Sequence, residues 1–290
     1  MQTIPTLTII GGGKLGQTLG RLFHQSGLVK IGDVLNRSVA SSQQAIEFIG
    51  AGRAIDRYED LQKADIILIA VPDDQIVASA TALANSHALS SNSVVFHCSG
   101  ALPASVMRTH EMSAASSTIA FASIHPVRSF AQPARVAKTF DGTYCGVEGD
   151  QRALETLSPL FNAIGAHFVL IKAEAKTLYH AAAVFASNYL VTLLDTAVQT
   201  YAQASIPEDQ ALKMMTHLVR ETSENVLMVG AEQALTGPIA RGDLATVRKQ
   251  YFAVRAWDHR YAAIYRQLGG LTARLARRKN RRTNRDTDEK

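Results

Sequence analysis

Ile9-Ile10-Gly11-Gly12-Gly13-Lys14-Leu15-Gly16 is the stretch on which the fold turns. Two β-branched apolar residues run into a glycine cluster, and apolar residues then recur at helical spacing from Leu15 to Gln25. Gly11, Gly13 and Gly16 fit the pattern GxGxxG. The first glycine allows a tight turn out of a strand, the second lets a pyrophosphate approach the backbone, and the third lets the helix pack closely on the sheet. A helix opening there presents free N–H groups and a partial positive charge to an anion. The residues expected to touch a dinucleotide are therefore Gly11, Gly12, Gly13, Lys14, Leu15 and Gly16. A P-loop is disfavoured, because Lys14 is followed by Leu15 and not by Ser or Thr.

Outward from this stretch the chain alternates. Apolar runs at Leu7–Ile10, Val29–Leu35, Ile66–Val71, Val94–Cys98, Ala120–His125, Gly142–Val147 and Phe168–Ile171 read as strands. Helical patterns lie between several of them, at Leu15–Gln25, Ser41–Ile49, Gln75–Ala84 and Gln151–Ile164. Such alternation predicts an α/β domain with a parallel-type sheet covered on both faces. Past Lys172 the strand signals stop, and Ala-rich helical sequence occupies Ala175–Val198, Pro207–Ala234 and Asp243–Leu268. The division expected is a Rossmann-like domain over 1–172, an all-α dimerisation and substrate domain over 173–273, and a basic flexible tail over 274–290.

The end of the second strand selects the nicotinamide cofactor. An acidic residue about ~20 positions past the glycines would hold a ribose 2′-hydroxyl. Here the chain reads Asn36-Arg37-Ser38, in which Arg37 pairs with a 2′-phosphate and its two neighbours hydrogen-bond it, so NADP (NADPH) is the expected cofactor. Asp33 sits too early in the strand to reach the ribose. Val71-Pro72-Asp73-Asp74 follows the next long strand, where Val71 and Pro72 line the adenosine side and Asp73 or Asp74 caps a helix. Two further strands end at His97-Cys98-Ser99-Gly100-Ala101 and Ser123-Ile124-His125-Pro126, at the carboxyl rim where ligands bind in this fold. Ser99 reads equally as a cofactor or substrate contact and as a helix cap.

The net charge of +5 resembles a nucleic-acid signature until it is located. Eight Lys and Arg between Arg274 and Lys290 face only Asp286, Asp288 and Glu289, so the tail carries all of it and the body is neutral. No nucleic-acid partner is expected. No run approaches the ~18 apolar residues of a membrane span, and Met1-Gln2-Thr3-Ile4-Pro5 lacks the basic start of an export signal. With only Cys98 and Cys145 present, neither a disulfide framework nor a metal site is expected, and a cytoplasmic setting follows.

The combination of Val71-Pro72-Asp73-Asp74, His97-Cys98-Ser99-Gly100-Ala101, His125-Pro126, Tyr179-His180-Ala181-Ala182-Ala183 with Ser187-Asn188, and Thr236-Gly237-Pro238 with Arg241-Gly242-Asp243 is similar to a family that joins a Rossmann-like NADP-binding domain to a C-terminal domain of unknown function. That family sits in the 6-phosphogluconate dehydrogenase-like superfamily, beside pyrroline-5-carboxylate reductase, ketopantoate reductase and prephenate dehydrogenase. The resemblance covers about residues 6–270. It implies hydride transfer between NADPH and a small carbonyl, imine or hydroxy-acid compound bound between two domains, in a homodimer. Relatives carry Lys or Asn on the first long helix of the second domain, and His180 and Asn188 occupy the comparable stretch. His180 is thus the expected proton donor, Asn188 and Ser99 orient the reacting group, and Arg241 anchors an anion. His125 is the alternative acid, as in prephenate dehydrogenase. A non-catalytic NADP-binding sensor or assembly protein is the other class of function open at this point.

Overall fold

The computed structural model describes residues 4–115 and 118–288. One eight-stranded sheet runs through the first half: β1 (Thr6–Ile10), β2 (Lys30–Leu35), β3 (Arg53–Ile55), β4 (Ala64–Ile69), β5 (Leu89–His97), β6 (Ala120–Pro126), β7 (Tyr144–Gly149) and β8 (His167–Leu170). Their spatial order is β3-β2-β1-β4-β5-β6-β7-β8. All neighbours pair in parallel except β6 and β7, which run antiparallel with His125 opposite Gly146. The expected Rossmann-type α/β domain followed by helices is what is found. β3 escaped the reading because three residues are too few to show a period.

Strands with both faces covered need runs of consecutive apolar residues, and Ile9–Ile10 of β1 and Ile66–Ile69 of β4 supply them. Ile9, Ile66 and Leu68 enter a core on one face with Leu19, Phe23, Phe96 and Phe161. Ile10, Ile67 and Ile69 enter a second core on the other face with Leu35, Val95 and Leu83. Phe161 meets Phe23 and Phe96 edge-on, with ring centroids 5.1 and 6.0 Å apart. The covering helices are α1 (Lys14–Ser26), α2 (Val39–Ile49), α3 (Ile76–Ala84), the short α4 (His110–Ala115) and α5 (Pro133–Lys138), and α6 (Gln151–Ala163).

The strand order turns back at β1: the chain winds outward through β2 and β3, then returns to place β4 on the other side of β1. A crevice opens at the carboxyl ends of strands at such a reversal. Gly11 begins it, where a hydrogen bond from its N–H to Leu35 O (2.8 Å) and one from Ala70 N–H to Ile10 O (2.7 Å) tie the ends of β1, β2 and β4 together.

The chain divides into two compact units, Met1–Val184 and Phe185–Lys290. α7 (Lys176–Ala186) begins in the first. The second holds α8 (Asn188–Gln203), α9 (Glu208–Ala234), α10 (Gly237–Ala240), α11 (Leu244–Trp257) and α12 (His259–Asp288). Within it α9 packs on α8 and α12, and α11 on α12. Leu235-Thr236-Gly237-Pro238, read as a plain loop, contains the start of α10, because proline is accommodated in a first helical turn. α9 is interrupted at Gly230, whose φ of 80° is open to glycine and costly for other residues. The basic stretch from Arg274 continues α12 as a helix, with Lys279 donating to Gln233 O and Leu235 O at the end of α9.

One expectation needs correction. Ala173–Gln203, 31 residues long, meets the length and composition of a membrane-crossing helix, with only 6% of its most apolar window buried. Counting uninterrupted apolar residues missed it, because Lys176, His180 and Asp195 break the run while the alanines, leucines and valines between them keep the average high.

Candidate functional site

The crevice between β1 and β4 is a cleft of about 810 Å³. Gly11, Gly12, Gly13, Lys14, Asn36, Arg37, Val71 and Pro72 line it, as the sequence predicts, joined by Gln17, Ser41, Gln44, Asp56, Tyr58, Gln75 and Ser79, which no motif flagged. A Cβ on Gly11 would lie 2.6 Å from Ala70 O, and one on Gly16 would strike Gly11 O, so the protein's own backbone forbids side chains at both. At Gly13 a Cβ would meet nothing within 4 Å. That glycine leaves open space at the N-terminus of α1, the end of a helix that favours an anion. Asn36 shapes the wall by accepting from Gly12 N–H (2.7 Å) and donating to Ser41 O (3.0 Å). The Lys14 and Arg37 side chains have no hydrogen bond or ion pair to any described residue.

Two predicted contacts, Leu15 and Ser38, do other work, and Asp33 stays out of the cleft as its early place in β2 implies. Leu15 packs against the core. Ser38 caps α2, its hydroxyl accepting from Ser41 N–H at 3.3 Å. Asp33 is buried and holds Arg53 Nε (2.7 Å) and Gln62 N–H (2.7 Å), which explains why an acid on β2 does not reach the cleft.

A second polar cluster lies at the ends of β5, β6 and β7. The Ser99 hydroxyl donates to Asp73 Oδ2 (2.8 Å) and accepts from Ala101 N–H (3.2 Å) and Leu102 N–H (3.0 Å). A hydroxyl has one proton and two lone pairs, so Ser99 is fully engaged by Asp73 and its own turn. Asp73, expected as a helix cap, faces Ser99, and α3 begins without a side-chain cap. His97 Nδ1 accepts from Ser99 N–H (3.1 Å), which leaves Nε2–H to donate to Pro103 O (3.2 Å). Burial favours this neutral ring and pulls its pKa down to about 4.

Beneath Ser99 lies a residue the sequence reading passed over. Lys176 is 0% exposed, and its Nζ donates to Ser99 O (3.0 Å) and Ser123 Oγ (2.6 Å), 4.0 Å from Glu148 Oε1. Glu148 also accepts from Ala104 N–H at 2.6 Å. Burial lowers the Lys176 pKa, and Glu148 opposes the shift. The available signal was a lone lysine in an Ala-rich helix, four residues and so one turn before His180.

α7 brings Tyr179 and His180 against His125. The Tyr179 hydroxyl and His125 Nδ1 are 2.9 Å apart, and the His125 and His180 rings meet edge-on at 5.7 Å between centroids. Both imidazoles press on Gly100: a Cβ there would strike His180 Nδ1 and lie 3.0 Å from His125 Nε2. His180 Nδ1 is buried without a hydrogen-bond partner. Burial first, then His180 and Lys176, pull the His125 pKa down to about 4, so the ring is neutral at pH 7. Asn188 and Arg241 belong to the second unit, the first opening α8 and the second exposed beyond α10. The hydrogen bonds of the cluster come from residues of the first unit alone. Among the described residues no group of three His, Cys, Asp or Glu is placed to hold a metal.

Doubly wound strand order, a glycine cradle at the reversal and a cleft over it define the first half as a Rossmann-like domain, and the model of that domain matches residues 2–126. Residues 143–272 match DUF2520, a domain of unknown function, so the chain carries a match to each of these two domains. Protein TM1727 from Thermotoga maritima is 28% identical, with 94% of this chain and 99% of that one covered and a TM-score of 0.74. The Bacteroides fragilis protein BF3122, to which NADP oxidoreductase activity is ascribed, is 17% identical over 93% and 98%, with a TM-score of 0.75. Plasmodium falciparum pyrroline carboxylate reductase, solved with NADP bound, shares the fold at 12% identity over 94% and 98%, with a TM-score of 0.58. A search of curated proteins returns no match.

Proposed function

We propose that the protein is an NADP-dependent oxidoreductase acting on a small carbonyl, imine or hydroxy-acid compound. The observation that carries this reading is the cleft, where two exposed cationic side chains, Lys14 and Arg37, have no partner among the described residues and stand beside a glycine kept clear of protein atoms. The α1 N-terminus and Gly13 suit a pyrophosphate, and Arg37 suits a ribose 2′-phosphate through its planar donors. NADPH would supply the hydride. The chain supplies binding, orientation and a proton, and His125 and His180 are the groups placed to hold that proton. Among the described residues His125 Nε2 has no hydrogen-bond partner and neither nitrogen of His180 has one. Ser99 is fully engaged and is assigned to shaping the rim.

The second unit exposes Phe185, Val191, Leu218 and Leu227, each at least 60% accessible, which fits the expected homodimer with a second copy covering these residues. The test is a titration of cofactor-stripped protein with NADPH, NADH, NADP and NAD. Preference for the phosphorylated forms, lost in Arg37→Ala, is the expected outcome. Failure to bind any of the four would overturn the reading. Tight binding with no NADPH oxidation across a panel of carbonyls and imines, coupled to a change of oligomer, would favour the sensor.

A further inference from the structure

We infer that the cleft ends in an adenine pocket read by two residues that follow β3: the Tyr58 ring packs against the base, and the Asp56 carboxylate accepts a hydrogen bond from its 6-amino group. The inference rests on the reading of the cleft as an NADP site and adds which base it selects and by what.

Ladder register sets three strand ends abreast. Ile10 of β1 lies opposite Leu35 of β2, and Leu35 lies opposite Ile55 of β3. The residues that follow each of them line one cleft: Gly11 to Lys14 after β1, Asn36 and Arg37 after β2, Asp56 and Tyr58 after β3. Neighbouring strands are about 4.8 Å apart, so β3 ends about 10 Å from β1. That is the order of distance between the 5′-phosphate of a nucleotide and the far edge of its base. With a pyrophosphate at Gly13 and a ribose 2′-phosphate at Arg37, the base comes to the end of β3.

The wall changes character there. Leu35, Tyr58 and Val71 pack against the second core and also line the cleft, so this sector is apolar where the sector at Lys14 and Arg37 is cationic. Tyr58 is half-buried and is the one aromatic among the described residues of the lining. A nucleobase has flat faces that pack on an aromatic side chain and a polar edge that needs hydrogen-bond partners.

Asp56 is a carboxylate in a cleft otherwise suited to anions. It is exposed, and it has no hydrogen bond or ion pair to any described residue. The cations nearest to it in sequence are held elsewhere, Arg53 by Asp33 (2.7 Å) and Arg57 by Glu59 (3.3 Å). An ionised carboxylate only accepts hydrogen bonds, so a ligand group that faces it has to donate. At the base end of NADP the donor is the 6-amino group of adenine. A carbonyl in its place, as in hypoxanthine, would turn lone pairs toward the carboxylate.

The test is calorimetric titration of the cofactor-stripped full chain with NADP and with its hypoxanthine analogue, in which a carbonyl replaces the 6-amino group. The wild type should bind the analogue about tenfold more weakly, the effect of losing a hydrogen bond to a charged acceptor. Asp56→Asn should bring the two within about threefold of each other, because a carboxamide can accept from an amino group and donate to a carbonyl. Tyr58→Ala should weaken both about tenfold and keep their ratio, and Tyr58→Phe, which retains the ring, should weaken neither. Asp56 is exposed, so its variant carries the test if Tyr58→Ala does not fold. Equal binding of NADP and the analogue by the wild type, an unchanged ratio in Asp56→Asn, or unchanged affinity in folded Tyr58→Ala would overturn the inference. So would an Asp56→Asn variant that binds NADP more tightly and NAD no differently, which would put Asp56 beside the 2′-phosphate. NADP bound without discrimination between the bases removes this inference alone, whereas failure of the wild type to bind NADP removes the cofactor reading and this one with it.

Discussion

The cleft over β1 and β4 and the rim cluster at the ends of β5, β6 and β7 are both polar, and they treat their polar groups in opposite ways. In the cleft Lys14 and Arg37 have no partner among the described residues and Gly13 is clear of protein atoms. In the cluster His97, Ser99 and Lys176 are bonded to the surrounding protein, and the two rings at Gly100 retain nitrogens without a partner among the described residues. Buried polar groups need partners, and the completed network of the cluster makes most of it the frame that holds His125 and His180 in place. Lys14 and Arg37 are exposed at the cleft, where solvent satisfies them and a ligand can replace it, which is the role proposed for them.

Removing the centre of that frame should have the largest effect. Lys176→Met leaves Glu148 and Ser123 facing a thioether, and loss of one partner from a buried ion pair costs about 3 kcal/mol. Urea denaturation measures this directly. A loss under 1 kcal/mol would mean the lysine is not part of the frame, and the contrast with the cleft would weaken.

Gly13→Val probes the other side. Its side chain would enter open space, so thermal stability should stay near the wild-type value while NADPH affinity falls roughly 100-fold, about 2.7 kcal/mol. Gly16→Val, which collides with the Gly11 carbonyl, should instead unfold the domain. Arg37→Ala comes next: about 30-fold weaker NADPH binding with NADH unchanged, the effect of losing charge-assisted bonds worth about 2 kcal/mol. Equal weakening of both cofactors would assign Arg37 to the pyrophosphate and leave the 2′-phosphate without a partner.

The two regions also differ in how far they could be read before the structure. The cleft floor is contiguous: Gly11 to Gly16 is one turn of chain, and each glycine answers one steric demand. The walls already strain that reading, since Asn36 and Arg37 follow from the position of β2, whereas Tyr58, Gln75 and Ser79 arrive by way of β3 and α3. The cluster draws residues from positions 73 to 180, joined only by sheet order, and no spacing rule connects Lys176 to Ser99. The antiparallel turn of β7 is what sets Glu148 and Gly146 beside β6, and an apolar run over Gly142–Val147 carries no mark of its direction. His125 and His180 were legible as types of residue, and the glycines that make room for them were not.

Acid titration separates the frame from the cleft more gently. His97 and His125 titrate at about 4 in the folded protein against an ordinary 6.5. Between those values the unfolded chain binds more protons at both rings, so stability falls as pH is lowered from 6.5 to 4 and is flat with respect to these groups above 6.5. Replacing His97 by Gln should remove part of the slope without touching NADPH affinity at pH 7. A slope unchanged in both His97→Gln and His125→Asn would mean that other groups control acid sensitivity.

The smallest effect expected concerns Ser38, which the sequence places beside the 2′-phosphate and the structure places at the start of α2. Its hydroxyl accepts from Ser41 N–H, so Ser38→Ala removes a helix cap and should cost about 1 kcal/mol of stability. NADPH and NADH affinities should both stay within about twofold of wild type, because Arg37 supplies the charge that distinguishes them. If Ser38→Ala instead erased the preference for NADPH, the cap would have to open when the cofactor binds, and the rule that engaged groups are scaffold would fail at the edge of the cleft itself.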